Sequence, residues 1–282
     1  MLSPLTEGAL LFKQVERGLC MSWSALIKII EQLRSPAGCP WDREQTHQSL
    51  KRFLLEESYE LFEAIDQNNP EEIQDELGDV LLQVLLHAQI AREYGAFTID
   101  DVITNLSNKL IRRHPHVFGD VQADTPDQVV VNWDAIKKTE KLGTTRVSVL
   151  DGVPRHFPAL MRAEKIQKKA TKVGFDWDET SEVLMKVHEE LAELEEAFAL
   201  NNRQGLEEEL GDLLFAIVNL ARFLQVDPEF ALQSATTKFT ERFHLVEEEA
   251  KEQELHLEDL TLDELNVLWD LAKDQLRKKP HS

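Results

Sequence analysis

The sequence predicts an all-α protein made of two tandem helical bundle domains joined by a linker. Three observations carry that prediction. Gly and Pro are scarce in the 282 residues, at 11 and 10, and helix-favouring Leu, Glu, Ala and Lys are prominent. Helical periodicity recurs along the chain, and RVSVL (146–150) is the one short β-like run. Above all, one segment is written twice: DELGDVLLQVLL (75–86) returns as EELGDLLFAIVN (208–219), 133 positions later.

The elements follow in order. A helical pattern opens at MSWSALIKIIEQL (21–33), so residues 1–21 read as an N-terminal extension and 22–140 as the first domain. LEESYELFEAI (55–65) is answered by HEELAELEEAF (188–198), again at a separation of 133. In the first copy DQNNPEE supplies the turn between the two acidic helices. Asn69 is the expected N-cap, Pro70 the first helical residue, and Glu72 the returning half of a capping box. NNRQG serves the second copy with weaker punctuation. KLGTTRVSVLDGVPRHFP (141–158) has two Gly, two Pro and little helical period, and reads as the linker. Residues 159–282 form the second domain.

Composition narrows the function classes. With 42% hydrophobic and 29% charged residues the chain suits a globular fold rather than a disordered one. A formal charge of −21 argues against binding nucleic acid or an anionic membrane, though not against a small polyanion held through metal ions. No apolar run approaches the roughly 18 residues of a membrane span. Cys20 and Cys39 make neither a disulfide framework nor a metal knuckle, and a reduced cytoplasmic setting is the simplest reading.

The chemistry lies in the repeated acids. Residues three apart on a helix share a face, so Glu57 and Glu60 point together, as do Glu76 and Asp79 on the returning helix. Glu190, Glu193, Glu209 and Asp212 repeat the pattern. Two antiparallel helices would converge each set of four carboxylates beside the apolar LLQVLL and LLFAIV runs. Uncompensated anions there are costly, and hard cations with oxygen ligands, Mg²⁺ or Mn²⁺, resolve the cost. A single ExxE is more often a solvated face; the duplication is what favours a metal site. A di-iron bundle would want two Glu-x-x-His pairs; Glu241-x-x-His244 fits that spacing, but Glu76 and Glu209 in the repeated acidic sets are followed by Asp rather than His.

Basic and aromatic residues repeat too. Lys109 and Arg113 are four apart, as are Lys238 and Arg242, and could meet phosphate oxygens or be ordinary surface charges. Trp133 and Trp269 follow them and could stack on a base or fill the core. Lys186 stands one turn before Glu190, where the first copy has Phe53. The HPH of RRHPHVFGD reads as a structural turn. Gly78 and Gly211, in mid-helix, suggest a closely approaching neighbour helix.

EExxE followed sixteen residues after its last Glu by ExxD resembles the MazG family of all-α nucleoside triphosphate pyrophosphohydrolases, in its two-domain form. The resemblance extends through GCPWDREQTH (38–47), RRHPHVFGD (112–120), PALMRAEKIQKKA (158–170) and VGFDWD (173–178). It implies hydrolysis of NTPs or dNTPs to monophosphate and pyrophosphate, clearing aberrant or excess nucleotides. It implies Mg²⁺ ligation by Glu57, Glu60, Glu76 and Asp79, and by Glu190, Glu193, Glu209 and Asp212. Lys186, Lys238, Arg242 and Trp269 match positions associated with nucleotide binding, and a homodimer is expected. Glu189 or Glu56, just outside the ligand set, would take a proton from water. Lys186 against Phe53 favours the second unit as the main active one. Two alternatives stay open: a diphosphatase specific for one pyrimidine nucleotide, and a non-enzymatic acidic helical adaptor.

Overall fold

The computed structural model describes residues 22–140 and 148–278, and no strand occurs among them. The β-like run 146–150 is a turn where it is described, from Ser148 onward. The extension 1–21 lies outside the described residues, as does the first part of the linker, 141–147. The chain divides into two compact units, Met1–Gly143 and Thr144–Ser282.

The first unit contains α1 (Trp23–Leu33), α2 (Pro40–Glu44), α3 (Leu50–Asp66), α4 (Pro70–Glu93), α5 (Ile99–Arg113), α6 (Pro115–Phe118) and α7 (Pro126–Glu140). The pairing of α3 with α4 is its main helix contact. The turn between them is a helix stop followed at once by a helix start. Asn68 takes the left-handed conformation at φ +52°, which Asn tolerates better than most residues. The Asn69 side chain then accepts from the amides of Glu71 and Glu72. The expected capping box does not close. The Asn69 N–H turns back to the Ala64 carbonyl, 3.3 Å away, which leaves Glu72 nothing to return to.

The second unit contains α8 (Ala159–Ala170) and a 3₁₀ turn (Thr171–Val173). There follow α9 (Thr180–Ala199), α10 (Arg203–Phe223), α11 (Pro228–Glu252) and α12 (Leu262–Lys278), with a second 3₁₀ turn, Leu257–Asp259, between the last two. Its α9–α10 hairpin repeats the first turn. Asn201 sits at φ +55°, the Asn202 N–H donates to Ala197 O at 3.0 Å, and the Asn202 side chain caps Gly205. The NN dipeptide is the shared signal.

Each hairpin is held by an apolar stripe. In the first unit Ile30, Leu50, Leu85, Leu86 and Ile90 form the buried core, with Phe53, Leu81 and Leu82 packed on it. In the second, Val183, Ala197, Ala216 and Val218 are buried along α9 and α10. Val246, Ala250, Leu268 and Ala272 join α11 to α12.

Within the described part of the chain no helix approaches Gly78 or Gly211 closely. A Cβ built on either meets nothing within 4 Å. Both lie on exposed stretches beside Leu77 and Leu210, which are about half exposed.

Candidate active site

The hairpin geometry brings acids from both helices to one place in each unit. In the first, carboxylate oxygens of Glu57, Glu76 and Asp79 all lie within 4.8 Å of one another. Glu60 falls outside that triad, yet its charge bears on both Glu57 and Glu76. In the second, Glu190, Glu193 and Glu209 cluster within the same 4.8 Å. Here Asp212 is the one outside, and it acts electrostatically on Glu209. Three of each four therefore converge.

These carboxyls are strained as anions. Desolvation first, then the neighbouring acids, pushes Glu57 and Glu76 above the usual carboxylate range. Glu193 and Glu209 rise for the same reasons in the same order. Glu190 is 6% exposed, and the buried Glu76 Oε2 has no hydrogen-bond partner. An oxygen-only donor set with an orphaned carboxylate oxygen fits a hard divalent cation. Neither cluster contains a histidine, which removes the basis for the di-iron reading among the described residues.

The two sites differ beside the acids. Lys186 Nζ lies 2.8 Å from Glu189 Oε1 and 2.8 Å from Glu190 Oε1. Those two carboxylates hold its ammonium well above the ordinary lysine range. At the matching place Phe53 packs edge-on against Trp41, centroids 5.5 Å apart. Glu56 is instead paired with Arg52 at 2.6 Å, on an exposed face.

A cavity of about 400 Å³ opens next to the second cluster, and Lys186, Glu190 and Asp212 are on its wall. Sequence reasoning missed the polar residues that share it: Gln167, Asp176, Asn219 and Arg222. One signal was readable. Asn219 interrupts LLFAIVNLARF seven residues after Asp212, two turns along the same helix face.

The other basic and aromatic candidates are not joined to the acids. Among the described residues, no ion pair links Lys109, Lys238 or Arg242 to either cluster. The Arg242 guanidinium lies 5.7 Å from the Trp269 ring, whose other neighbours are Phe239 at 5.1 Å and the α11–α12 core. Arg113 is committed to Glu140, Nη2 to Oε2 at 2.6 Å. With Arg112 it holds the Glu140 carboxyl down at about 2. Trp133 is covered by Lys137 at 4.8 Å and by His114. The HPH motif is a turn: His114 Nδ1 lies 2.7 Å from Leu110 O, and Pro115 begins α6.

With this geometry in view, the comparisons with known proteins are informative. The sequence model of the MazG nucleotide pyrophosphohydrolase domain matches residues 45–118 and again 179–249. The chain is 54% identical over 248 residues to the Thermotoga maritima nucleoside triphosphate pyrophosphohydrolase/pyrophosphatase MazG, covering 88% of this chain and 94% of that one. It is 44% identical over 253 residues to the nucleoside triphosphate pyrophosphohydrolase of Escherichia coli K12, covering 89% and 96%. It is also 48% identical over 276 residues to YabN of Bacillus subtilis, an uncharacterised protein of which it spans 55%. The two acidic helical hairpins and these matches agree: the chain belongs to the MazG family of nucleotide pyrophosphohydrolases.

Proposed function

We propose that the second unit does most of the chemistry of this nucleoside triphosphate pyrophosphohydrolase, with Mg²⁺ held by Glu190, Glu193, Glu209 and Asp212. The observation that carries the proposal is the convergence of three carboxylates within 4.8 Å, next to Lys186 and an open cavity. Glu57, Glu60, Glu76 and Asp79 hold the cation in the first unit, and Mn²⁺ can replace Mg²⁺ at both. The bound cation supplies charge neutralisation for a polyphosphate that this acidic surface would otherwise repel.

The protein's own groups do the rest. Glu189, outside the clustered three but in contact with Lys186, takes the proton from the attacking water; Glu56 is its counterpart. Lys186 orients Glu189 and offers a cation to a phosphate oxygen. Lys238 and Arg242 meet the leaving pyrophosphate, a role that rests on the family resemblance. Trp269 completes the nucleotide contacts on the family resemblance. The reaction is NTP or dNTP plus water to the monophosphate and pyrophosphate, and it serves to clear aberrant or excess nucleotides.

The working form is a homodimer. Its support is the apolar surface left on the hairpins, including Leu55, Tyr59 and Leu77 in one unit and Leu191, Leu210 and Leu214 in the other. No described helix is long and apolar enough to cross a membrane; two cysteines that make no disulfide framework favour a reduced, cytoplasmic setting.

The test is a product assay with purified protein, Mg²⁺ and each of the eight common NTPs and dNTPs, read by phosphorus NMR. Monophosphate and pyrophosphate, lost on adding EDTA, are the expected result. Diphosphate with orthophosphate, or no turnover of any of the eight, would overturn the proposal.

A further inference from the structure

Away from the acidic clusters, the first unit gathers cations. In a chain of net charge −21, Arg112 and Arg113 close together on a single carboxylate. Arg112 donates from Nε to Glu140 Oε1 at 2.7 Å, and its Nη2 lies 2.6 Å from the same oxygen. Arg113 donates from Nη2 to Oε2 at 2.6 Å and from Nε to Oε1 at 3.4 Å. Two guanidiniums on one carboxylate leave a net positive charge at the end of α7. Lys109, one turn before Arg113 on α5, and Lys137, one turn before Glu140 on α7, add to it.

The seam between α5 and α7 also holds polar atoms with nothing to bind. Trp133 Nε1 and His116 Nδ1 are both buried and lack a hydrogen-bond partner. An indole N–H can only donate, so what it awaits is an acceptor, and an imidazole nitrogen can carry a proton for the same purpose. The rings adjoin, with the His114 centroid 5.6 Å from those of both His116 and Trp133. Trp133, Lys137 and Glu140 occupy positions i, i+4 and i+7 of α7 and so share a face. The orphaned donors and the two arginines therefore line one seam. Buried polar groups left in this way mark places that an ion or water completes.

The second unit is not built this way. In the register that pairs Arg113 with Arg242, Arg112 falls on Glu241; in the register that pairs Trp133 with Trp269, Glu140 falls on Leu276. Neither the second arginine nor the carboxylate is repeated, so the seat belongs to the first unit alone.

We propose that the Arg112–Arg113 pair is a binding seat for an inorganic polyphosphate, pyrophosphate, and that the Glu140 carboxylate is its built-in stand-in. A carboxylate presents two oxygens as a phosphate does, and a planar guanidinium matches either. Pyrophosphate replaces that single charge by a larger one and brings further oxygens for the Trp133 N–H and for His116. A nucleoside is not part of the ligand. Lys137, 4.8 Å from the Trp133 ring, and His114 already cover that ring, which leaves no face for a base. The choice of pyrophosphate rests on the pyrophosphohydrolase reading, whose product it is; the seat rests on the geometry.

The test is a calorimetric titration of the full chain with sodium pyrophosphate in EDTA, where the acidic clusters hold no cation and repel the anion. Opening the seat by Glu140→Ala is expected to tighten binding at least about tenfold over the unaltered chain. Orthophosphate should bind more weakly, and AMP no more tightly than orthophosphate. Adding Arg113→Gln is expected to abolish the gain. No binding by Glu140→Ala, an affinity equal to that of the unaltered chain, or a gain that survives Arg113→Gln would overturn the seat. AMP bound more tightly than pyrophosphate would overturn its inorganic ligand. If Glu140→Ala fails to fold, Glu140→Gln takes its place with the same expectation, and the half-exposed Arg112→Gln takes that of Arg113→Gln. Nothing is hydrolysed in EDTA, so a failure here removes the seat and leaves the activity standing. A chain that hydrolyses no triphosphate in Mg²⁺ removes the activity and leaves the seat to its own titration.

Discussion

The two units carry the same acidic spelling and different surroundings. In the second, Lys186 bridges Glu189 and Glu190 and a cavity opens beside them. In the first, Phe53 turns into the core and packs on Trp41. Arg113, whose counterpart Arg242 has no ion-pair partner among the described residues, is locked to Glu140. A converged acidic set and a cavity beside it are thus separate achievements. The carboxylates need only the helical period and a turn; the site needs a cation poised on the acids and room for a substrate.

Substitutions can erase or widen this contrast between the units. The largest expected effect is at Glu189, the proposed proton acceptor. Glu189→Gln keeps an oxygen for Lys186 but removes the base, and should lower kcat about 100-fold, with Mg²⁺ affinity by calorimetry nearly unchanged. A loss of Mg²⁺ binding would make Glu189 a ligand instead. Next comes Lys186→Phe, which gives the second unit the residue of the first. Pyrophosphate release should fall about tenfold, as for loss of a group supporting a metal ligand, and equal activity would erase the distinction between the units.

A milder effect concerns pH. Glu57, Glu76, Glu193 and Glu209 titrate above the usual carboxylate range in the folded state. Folding therefore favours their protonated forms. The stability this brings is fully present below the ordinary carboxylate pKa and is lost as pH rises through the raised folded values. Saturating Mg²⁺, which binds the anionic forms, should therefore raise the Tm more at pH 7 than at pH 5. An Mg²⁺-induced rise in Tm no larger at pH 7 than at pH 5 would contradict the reading of these acids as strained anions. The smallest effect is at Gly211, where a Cβ meets nothing within the chain. Gly211→Ala should weaken a homodimer that packs on Leu210 and Leu214; a gain of about 1 kcal/mol in thermal melts from helix propensity, with the dimer retained, would place the dimer surface elsewhere.

Much of this is legible in the amino-acid sequence. The fold class and the two acidic sets follow from a period of 3.6 and an ungapped repeat, both local properties of the chain. The Asn69 cap is readable as well, because a cap involves residues two and three positions away. The capping box fails because the Asn69 amide is spent on Ala64, in the turn that Asn68 makes possible. The glycines mark missing bulk that nothing within the chain fills, since a glycine does not say what lies opposite. Arg113 looks equivalent to Arg242 by spacing, but its partner Glu140 comes from α7, 27 residues on. The cavity is hidden for the same reason. Gln167 reaches Phe215 across 48 residues, and no periodicity connects α8 to α10.

The assignment of catalysis to the second unit is decided by two rates measured side by side, pyrophosphate release by Glu193→Ala and by Glu60→Ala in the full chain. Glu193→Ala should lose most of the activity, about 100-fold, while Glu60→Ala should lose far less. Equal losses, or the reverse order, would contradict that assignment.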